Sequence, residues 1–193
     1  MTTTRVEAFS DGVIAILITI MVLELRVPHE TTFRALAPLI PIFLSYVLSF
    51  VFLGIYWSNH HHLLQVAEHV NGRVLWANLH LLFWLSLVPF VTGWVGANNF
   101  AAQPVALYGL VLLLAAIAYF ILSRSLIALH GPGSSIALAI GNDFKGKLSV
   151  VIYAVAIPLA FFRSWAAFIL YVLNAVIWLA PDRRIERTIV RDD

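Results

Sequence analysis

The 193-residue sequence contains no cysteine and few charged side chains. Without cysteine, disulfide bonds, thiol nucleophiles and cysteine-ligated metals are excluded. Asp, Glu, Lys and Arg make up only 11% of the residues, against about 25% in a typical soluble domain. The formal net charge of +2 is too small to indicate a nucleic-acid partner.

Apolar residues take the place of the charges. They form 61% of the chain, more than one aqueous core of this size can bury. We therefore expect an all-α integral membrane protein with the lipid bilayer as its surroundings. Acidic Glu7 and Asp11 lie where a secretory signal would be basic, and no cleavage-site pattern follows Leu23. The first apolar run is thus predicted to be a retained transmembrane helix.

The apolar runs predict one transmembrane domain over residues 1–193. A spanning helix needs about 20 apolar residues, and the last two runs, at about 16 residues or about 24 Å, are short for a core of about 30 Å. The six predicted helices are approximately 6–27, 36–57, 74–95, 105–128, 148–162 and 165–180.

The distribution of basic residues favours six spans over five. Six spans with cytoplasmic N- and C-termini put nine basic residues inside and three outside, as the positive-inside rule requires. The inside set is Arg5, Arg73, Arg124, Lys145, Lys147, Arg183, Arg184, Arg187 and Arg191, and the outside set is Arg26, Arg34 and Arg163.

The first predicted helix carries polar residues at its start and a lateral apolar stripe. At about 100° per residue, Ile16, Thr19, Ile20 and Leu23 share one side, and Ser10 and Asp11 point about 120° and 140° away from Ile16. Polar groups entering a bilayer are costly unless the protein receives them, so Ser10 and Asp11 are expected inside a bundle. The stripe is either a pore lining or an ordinary lipid-facing surface, and periodicity alone favours the second interpretation.

The start of this helix also carries a family motif. Arg5-x-x-x-Phe9-Ser10-Asp11, followed by Gly-Val-Ile-Ala-Ile-x-Ile-Thr, resembles the endosomal and lysosomal potassium channel family (transmembrane protein 175), in its prokaryotic branch. The similarity continues more weakly through Trp57-x-x-His60-His61 and through Asn78, Ser86 and Pro89. The last three segments match in layout only.

The resemblance implies a homotetramer of six-helix subunits around a pore lined by the first helix. The implied function is a cation leak channel that favours potassium over sodium, located in the plasma membrane of a prokaryote. A hydrophobic constriction replaces a carbonyl filter, and the sequence has no Thr-Val-Gly-Tyr-Gly run. The constriction positions fall on Ile16, Ile20 and Leu23, and the selectivity position falls on Thr19. No catalytic activity and no cofactor other than the permeant potassium ion is implied.

The remaining polar residues are predicted to be structural. Arg5, Phe9, Ser10 and Asp11 are expected to meet Trp57, Asn78 and either His60 or His61 at the cytoplasmic side, although the histidines could instead be interfacial and hydrated. Consecutive histidines point in different directions on a helix, so no metal site is expected. Glu24 and Arg26 either form an outer vestibule or pair with Arg34 and Glu30.

Two other classes of function compete with a channel. A secondary transporter or proton-coupled carrier could use Asp11, Asn78 and His80 as a proton relay, but the chain lacks the inverted repeats typical of transporters. A membrane enzyme built on His60–His62 would lack a nucleophile, a carboxylate pair and metal-ligand spacing.

Overall fold

The computed structural model describes residues 3–141 and 143–179, and within them all regular structure is helical. A 3-10 helix, Phe33–Leu39, precedes the second α-helix. The α-helices are α1 Thr3–Leu23, α2 Ile40–Gln65, α3 Gly72–Ser86, α4 Val88–Ala97, α5 Ala102–His130, α6 Ser135–Ile140, α7 Phe144–Ala160 and α8 Ser164–Leu179.

The first two helices differ from their predicted bounds. Helix α1 stops at Leu23, just before the charged Glu24, and not at residue 27. The predicted start of the second segment is a 3-10 turn that contains Pro38, and α2 then runs on to Gln65 instead of ending at residue 57. The residues after Trp57 are polar, so the hydropathy falls there and the helix was predicted to end. The helix continues because side chains such as His60 and His61 have hydrogen-bond partners in the bundle.

The predicted single helix over 74–95 is two helices. Asn71 caps the first of them, α3, by accepting a 3.0 Å hydrogen bond from the Val74 N–H. Helix α3 ends at Ser86 and α4 begins at Val88, with Leu87 between them. Pro89 lies in the first turn of α4, and a proline has no N–H for an α-helical hydrogen bond and its ring crowds the preceding turn. The chain therefore breaks here.

The C-terminal part folds into a long helix followed by shorter ones. Helix α5 extends the predicted 105–128 segment at both ends and stops at Gly131, whose φ of +95° suits glycine. The segment between the fourth and fifth predicted helices contains the short helix α6. Helices α7 and α8 replace the predicted 148–162 and 165–180. Residue 180 and the charged tail lie outside the described residues.

Four helical stretches in the described residues are long and apolar enough to cross a membrane: Thr3–Leu23, Phe33–Gln65, Gly72–Ala97 and Ala102–His130. Helices α7 and α8 contain 17 and 16 residues, or about 25 Å each. They form a hairpin whose turn is closed by a 2.8 Å hydrogen bond from the Arg163 N–H to the Leu159 carbonyl. Length alone therefore assigns four spans and not six.

Helix α5 occupies the centre of the packing. Helix α1 packs on α2, α3 and α4, whereas α7 packs on α5 and α8. Two glycines allow especially close approaches: a Cβ at Gly96 would lie 2.6 Å from the Ile42 Cα, and one at Gly109 would overlap the Tyr171 hydroxyl. The bundle thus places α1 at one side and the α7–α8 hairpin at another.

Candidate functional site: the exposed face of the first helix and the polar cluster behind it

One side of α1 packs against none of the other residues that the structure describes. Ile16, Ile20 and Leu23 are 57%, 43% and 78% exposed, and Thr19 is exposed with them. We call these four residues the α1 stripe. The opposite side of the helix is buried through Val6, Ser10, Ile14, Leu17 and Met21. The helix thus presents a row of large apolar side chains outside the subunit while its other side is fixed in the bundle.

Thr19 is the polar member of the α1 stripe. Its hydroxyl donates a 2.9 Å hydrogen bond to the Ile16 carbonyl of the preceding turn. Because the hydroxyl hydrogen is used within the helix, the oxygen lone pairs remain available on the exposed side. Thr19 can therefore offer an oxygen ligand to a cation, which its aliphatic neighbours cannot do.

A buried chain of hydrogen bonds joins α1, α2 and α3. Ser10 donates to the Val6 carbonyl at 2.8 Å and accepts from the Asn78 Nδ2 at 3.0 Å. The Asn78 amide oxygen therefore faces His60, 2.7 Å from its Nε2. This orientation makes His60 the donor through Nε2, and its buried Nδ1 has no partner among the described residues. Ser10, His60 and Asn78 are each at most 2% exposed.

A second set of contacts lies beside this chain, where α1 and α2 meet. The Trp57 Nε1 donates a 3.0 Å hydrogen bond to Asp11, and the His61 Nδ1 lies 2.7 Å from the Glu7 Oε1. The Trp57 and His61 rings stack at 6.3 Å. Glu7 and Asp11 are four residues apart on α1, and Trp57 and His61 are four residues apart on α2. The two carboxyl groups of α1 therefore face the two nitrogen donors of α2. We call Glu7, Ser10, Asp11, Trp57, His60, His61 and Asn78 the polar cluster.

The polar cluster differs in membership from the predicted one. Arg5 and Phe9 are not part of it: both are exposed on the same side of α1 as Ile16, and Arg5 makes no hydrogen bond or ion pair with a described residue. Glu7 is an unpredicted member. Its spacing of four residues from Asp11 was a usable signal, because the two side chains lie on one side of the helix. His60 is buried, so the hydrated alternative does not apply to it.

A further buried network was not predicted. Ser49 of α2 lies 2.6 Å from the Thr92 Oγ1 and 2.9 Å from the Tyr108 hydroxyl, and Thr92 donates to the Val88 carbonyl at 2.6 Å. These contacts join α2, α4 and α5 close to Met21 of α1. Isolated hydroxyl residues in apolar segments were the signal, since buried hydroxyls need partners.

The polar residues considered for other roles lie apart from this cluster. His80 is exposed and accepts a 2.9 Å hydrogen bond from the Trp84 Nε1, so it does not extend a relay from Asp11 and Asn78. Glu24 is exposed beside Gly93 and, like Arg26, forms no ion pair with Arg34 or Glu30. Within residues 3–141 and 143–179, no group of three or more His, Asp or Glu side chains is arranged to hold a metal ion.

Comparisons with known proteins agree with this architecture. The family model described as endosomal/lysosomal potassium channel TMEM175 matches residues 5–89. A potassium channel of Chryseobacterium sp. (strain P1-3) is 52% identical over 189 residues, which cover 98% of each chain. A potassium channel of Streptomyces collinus (strain DSM 40733 / Tue 365) is 36% identical over 126 residues, or 60% of each chain.

A solved structure extends the similarity to the whole fold. The crystal structure of a lysosomal potassium-selective channel TMEM175 homolog from Chamaesiphon minutus matches with a TM-score of 0.79 and 27% identity. The match covers 92% of this chain and 96% of that one. Together the comparisons support a membrane-embedded potassium channel. The chain belongs to the TMEM175 family.

Proposed function

We propose that four copies of this chain surround a central pore that passes potassium in preference to sodium as a passive leak. The observation that carries the proposal is the α1 stripe, which is exposed in the subunit while the opposite side of α1 is fixed by the polar cluster. With a single such stripe per chain, a closed ring needs several copies related by rotational symmetry. The solved relative named above is described as potassium-selective.

The α1 stripe can act as both constriction and gate. Ile16, Ile20 and Leu23 offer no oxygen to replace the hydration shell of an ion, so a narrow ring of them excludes water and ions when closed. Rotation or separation of the α1 helices widens the ring and wets it. A ring of Thr19 hydroxyl oxygens next to Ile16 then supplies weak ligands, which we assign to ion selection.

The polar cluster holds α1 in the orientation that this mechanism needs. Hydrogen bonds from Trp57 to Asp11 and from Asn78 to Ser10 attach α1 to α2 and α3. A loss of these contacts would let the helix turn about its axis and move the α1 stripe away from the pore. We therefore assign the cluster to folding and assembly, with no bound cofactor and no catalytic step.

The proposed topology has six spans, with α7 and α8 as short last spans, and cytoplasmic termini. Snorkelling side chains and local bilayer thinning accommodate helices of about 25 Å. Arg73 and Arg124 then lie on the cytoplasmic side with Lys145 and Lys147, and Arg163 lies outside, in accord with the positive-inside rule. The membrane is the plasma membrane of a prokaryotic cell.

Two measurements on purified protein test this proposal. Mass measurement in mild detergent should give four subunits, and recordings in planar bilayers under a potassium/sodium gradient should give unitary currents that reverse near the potassium equilibrium potential. Thr19→Val keeps the side-chain shape and should move the reversal potential towards that of sodium. Saturating flux without unitary currents would instead indicate a carrier, and a conducting monomer would rule out the shared pore.

A further inference from the structure

A cavity lies on the side of α2 away from α1. It is bounded by α2, α5, α7 and α8, is partly open, and has a volume of about 340 Å³, within the range of about 300–1,000 Å³ typical of sites for small ligands. Most of its wall is aliphatic or aromatic, with Phe52, Ile55, Ile117, Phe120, Val150 and Tyr153 among the lining side chains. An apolar chain, and not a hydrated ion, matches this wall.

One end of the cavity is polar and mainly basic. Asn59, Asp143 and Lys147 line this end. The Lys145 ammonium group lies 5.9 Å from the ring centroid of Trp178, and the Arg124 guanidinium lies 5.4 Å from that of Phe120. Both rings belong to the cavity wall. Among the described residues, Lys147 and Asp143 therefore line this end, and Arg124 and Lys145 lie over two rings of the wall. An anionic group at this end would have basic side chains close to it.

Tyr56 supplies an independent sign that a ligand is accommodated. It lines the cavity, and its hydroxyl makes no hydrogen bond with any described residue. The neighbouring Tyr119, by contrast, donates to the Asn59 carbonyl at 3.2 Å. A hydroxyl without a partner in apolar surroundings is unfavourable, and a ligand that carries an acceptor oxygen would remove this penalty.

We propose that this cavity binds one acyl chain of an anionic glycerophospholipid, with the lipid phosphate among Arg124, Lys145 and Lys147. The acyl chain fills the apolar part, and an ester oxygen accepts a hydrogen bond from Tyr56. In the proposed topology the basic end lies at the cytoplasmic surface, where basic pockets between transmembrane helices bind anionic lipid head groups. The site lies away from the α1 stripe, so it does not depend on the pore proposal.

Native mass spectrometry of the purified protein tests the site directly. Phosphatidylglycerol and phosphatidylcholine with identical acyl chains are titrated into delipidated protein in mild detergent. We expect one tightly retained phosphatidylglycerol per subunit and weaker retention of phosphatidylcholine. Lys147→Gln and Arg124→Gln should each weaken phosphatidylglycerol binding about fivefold, whereas Arg73→Gln, which removes a cytoplasmic charge away from the cavity, should not.

Variants that fill the cavity separate it from the general lipid surface. Ala116→Phe places a ring inside the cavity and should abolish retention, and Leu110→Phe, on the exposed side of the same helix, should leave it unchanged. Ile117→Trp is the substitute if Ala116→Phe does not assemble. Equal retention of both lipids, or normal retention in the filled variants, would overturn the proposal. Competition by free glycerol phosphate would also overturn it, because the head group alone would then be the ligand.

Discussion

The indole N–H of Trp57 donates a 3.0 Å hydrogen bond to the Oδ1 of Asp11 and so joins α2 to α1. Asp11 lies one residue after Ser10, whose hydroxyl accepts from Asn78 of α3. Two adjacent residues of the Phe9-Ser10-Asp11 run therefore attach the first helix to two different neighbours. This attachment fixes the direction in which the α1 stripe points.

Asp11→Ala and Trp57→Phe should each destabilise the assembled protein. A hydrogen bond to a carboxylate contributes about 1.5–3 kcal/mol when well buried. Trp57 is 47% exposed, so we expect about 1 kcal/mol from this bond. Thermal unfolding of both single variants and the double variant gives the coupling energy. Trp76→Phe is the control, since Trp76 is exposed and its indole donates no hydrogen bond to a described residue. Strictly additive effects would mean that the bond contributes nothing.

Asn78→Leu should destabilise the protein more than Asp11→Ala or Trp57→Phe, because Asn78 is the central member of the buried hydrogen-bond chain from Ser10 to His60. The Nε2–H of His60 and the oxygen of Ser10 would both lose their partner, at about 1–3 kcal/mol for each unsatisfied group. The expected result is loss of the assembled species in size-exclusion chromatography at normal expression of the message. Asn98→Leu, at the exposed end of α4, should assemble normally. Normal assembly of the Asn78 variant would show that the buried chain is dispensable.

The sequence predicted the helical class and much of this cluster, but not its boundaries. Long apolar runs identify membrane helices by composition, and Ser10 and Asp11 stand out because buried polar groups need partners. The continuation of α2 to Gln65 was missed, because the polar His60–His62 run resembles a helix end until the Asn78 partner is known. Pro89 gave a local signal for the break that the hydropathy profile concealed.

Contacts between segments that are distant in the sequence could not be predicted from hydropathy and helical periodicity. The spacing of Glu7 and Asp11 places both on one side of α1, but it does not tell which residues of another helix face them. Arg5 and Phe9 lie outside the polar cluster because of how α1 is rotated about its axis in the bundle. Helical periodicity does not determine that rotation. The cavity behind α2 arises from four helices packing together, and no single segment carries a pattern for it.

Gly109→Ala tests the close approach of α5 and α8. The added methyl group would overlap the Tyr171 hydroxyl and lie 2.6 Å from its ring carbon Cζ, so we expect a loss of about 1–3 kcal/mol from overpacking. At Gly54 the new methyl group would meet no described atom within 4 Å beyond the adjacent backbone of its own helix, so Gly54→Ala should be neutral or stabilising, as expected for a helix interior. The measurement is thermal unfolding in detergent. Partial rescue of Gly109→Ala by Tyr171→Phe would identify the hydroxyl as the obstacle, whereas equal melting of the two glycine variants would contradict the packing described.

Asp143→Asn should change how stability depends on pH. Burial raises the pKa of Asp143, against the opposing effects of the Gly146 N–H, Lys147 and Arg124. The folded protein therefore holds this proton to higher pH than the unfolded chain, so the contribution of Asp143 to stability falls as pH rises through its folded pKa. Asparagine can still cap α7 and accepts the left-handed conformation of this position. The variant should melt above wild type at neutral pH, and the difference should vanish below the ordinary carboxyl pKa of about 3.9. A difference that grows on acidification would contradict the assignment.

The pore is tested by making the α1 stripe polar. Ile16→Asn replaces an apolar ring with amides that hold water, which removes the dewetting barrier of the closed state. Two controls carry the same substitution. Ile169→Asn changes an α8 residue that is 55% exposed, close to the 57% of Ile16. Ile18→Asn changes a residue of α1 that packs against the core and should impair packing instead.

The most direct measurement is resting potassium leak from liposomes, normalised to the amount of assembled protein, for wild type and these three variants. We expect a severalfold higher leak and weaker discrimination against sodium for Ile16→Asn, with Ile169→Asn at the wild-type level and Ile18→Asn reduced in assembly. An unchanged leak in Ile16→Asn, together with a large leak in Ile18→Asn or Ile169→Asn, would contradict this expectation and place the ion path on another surface of the bundle.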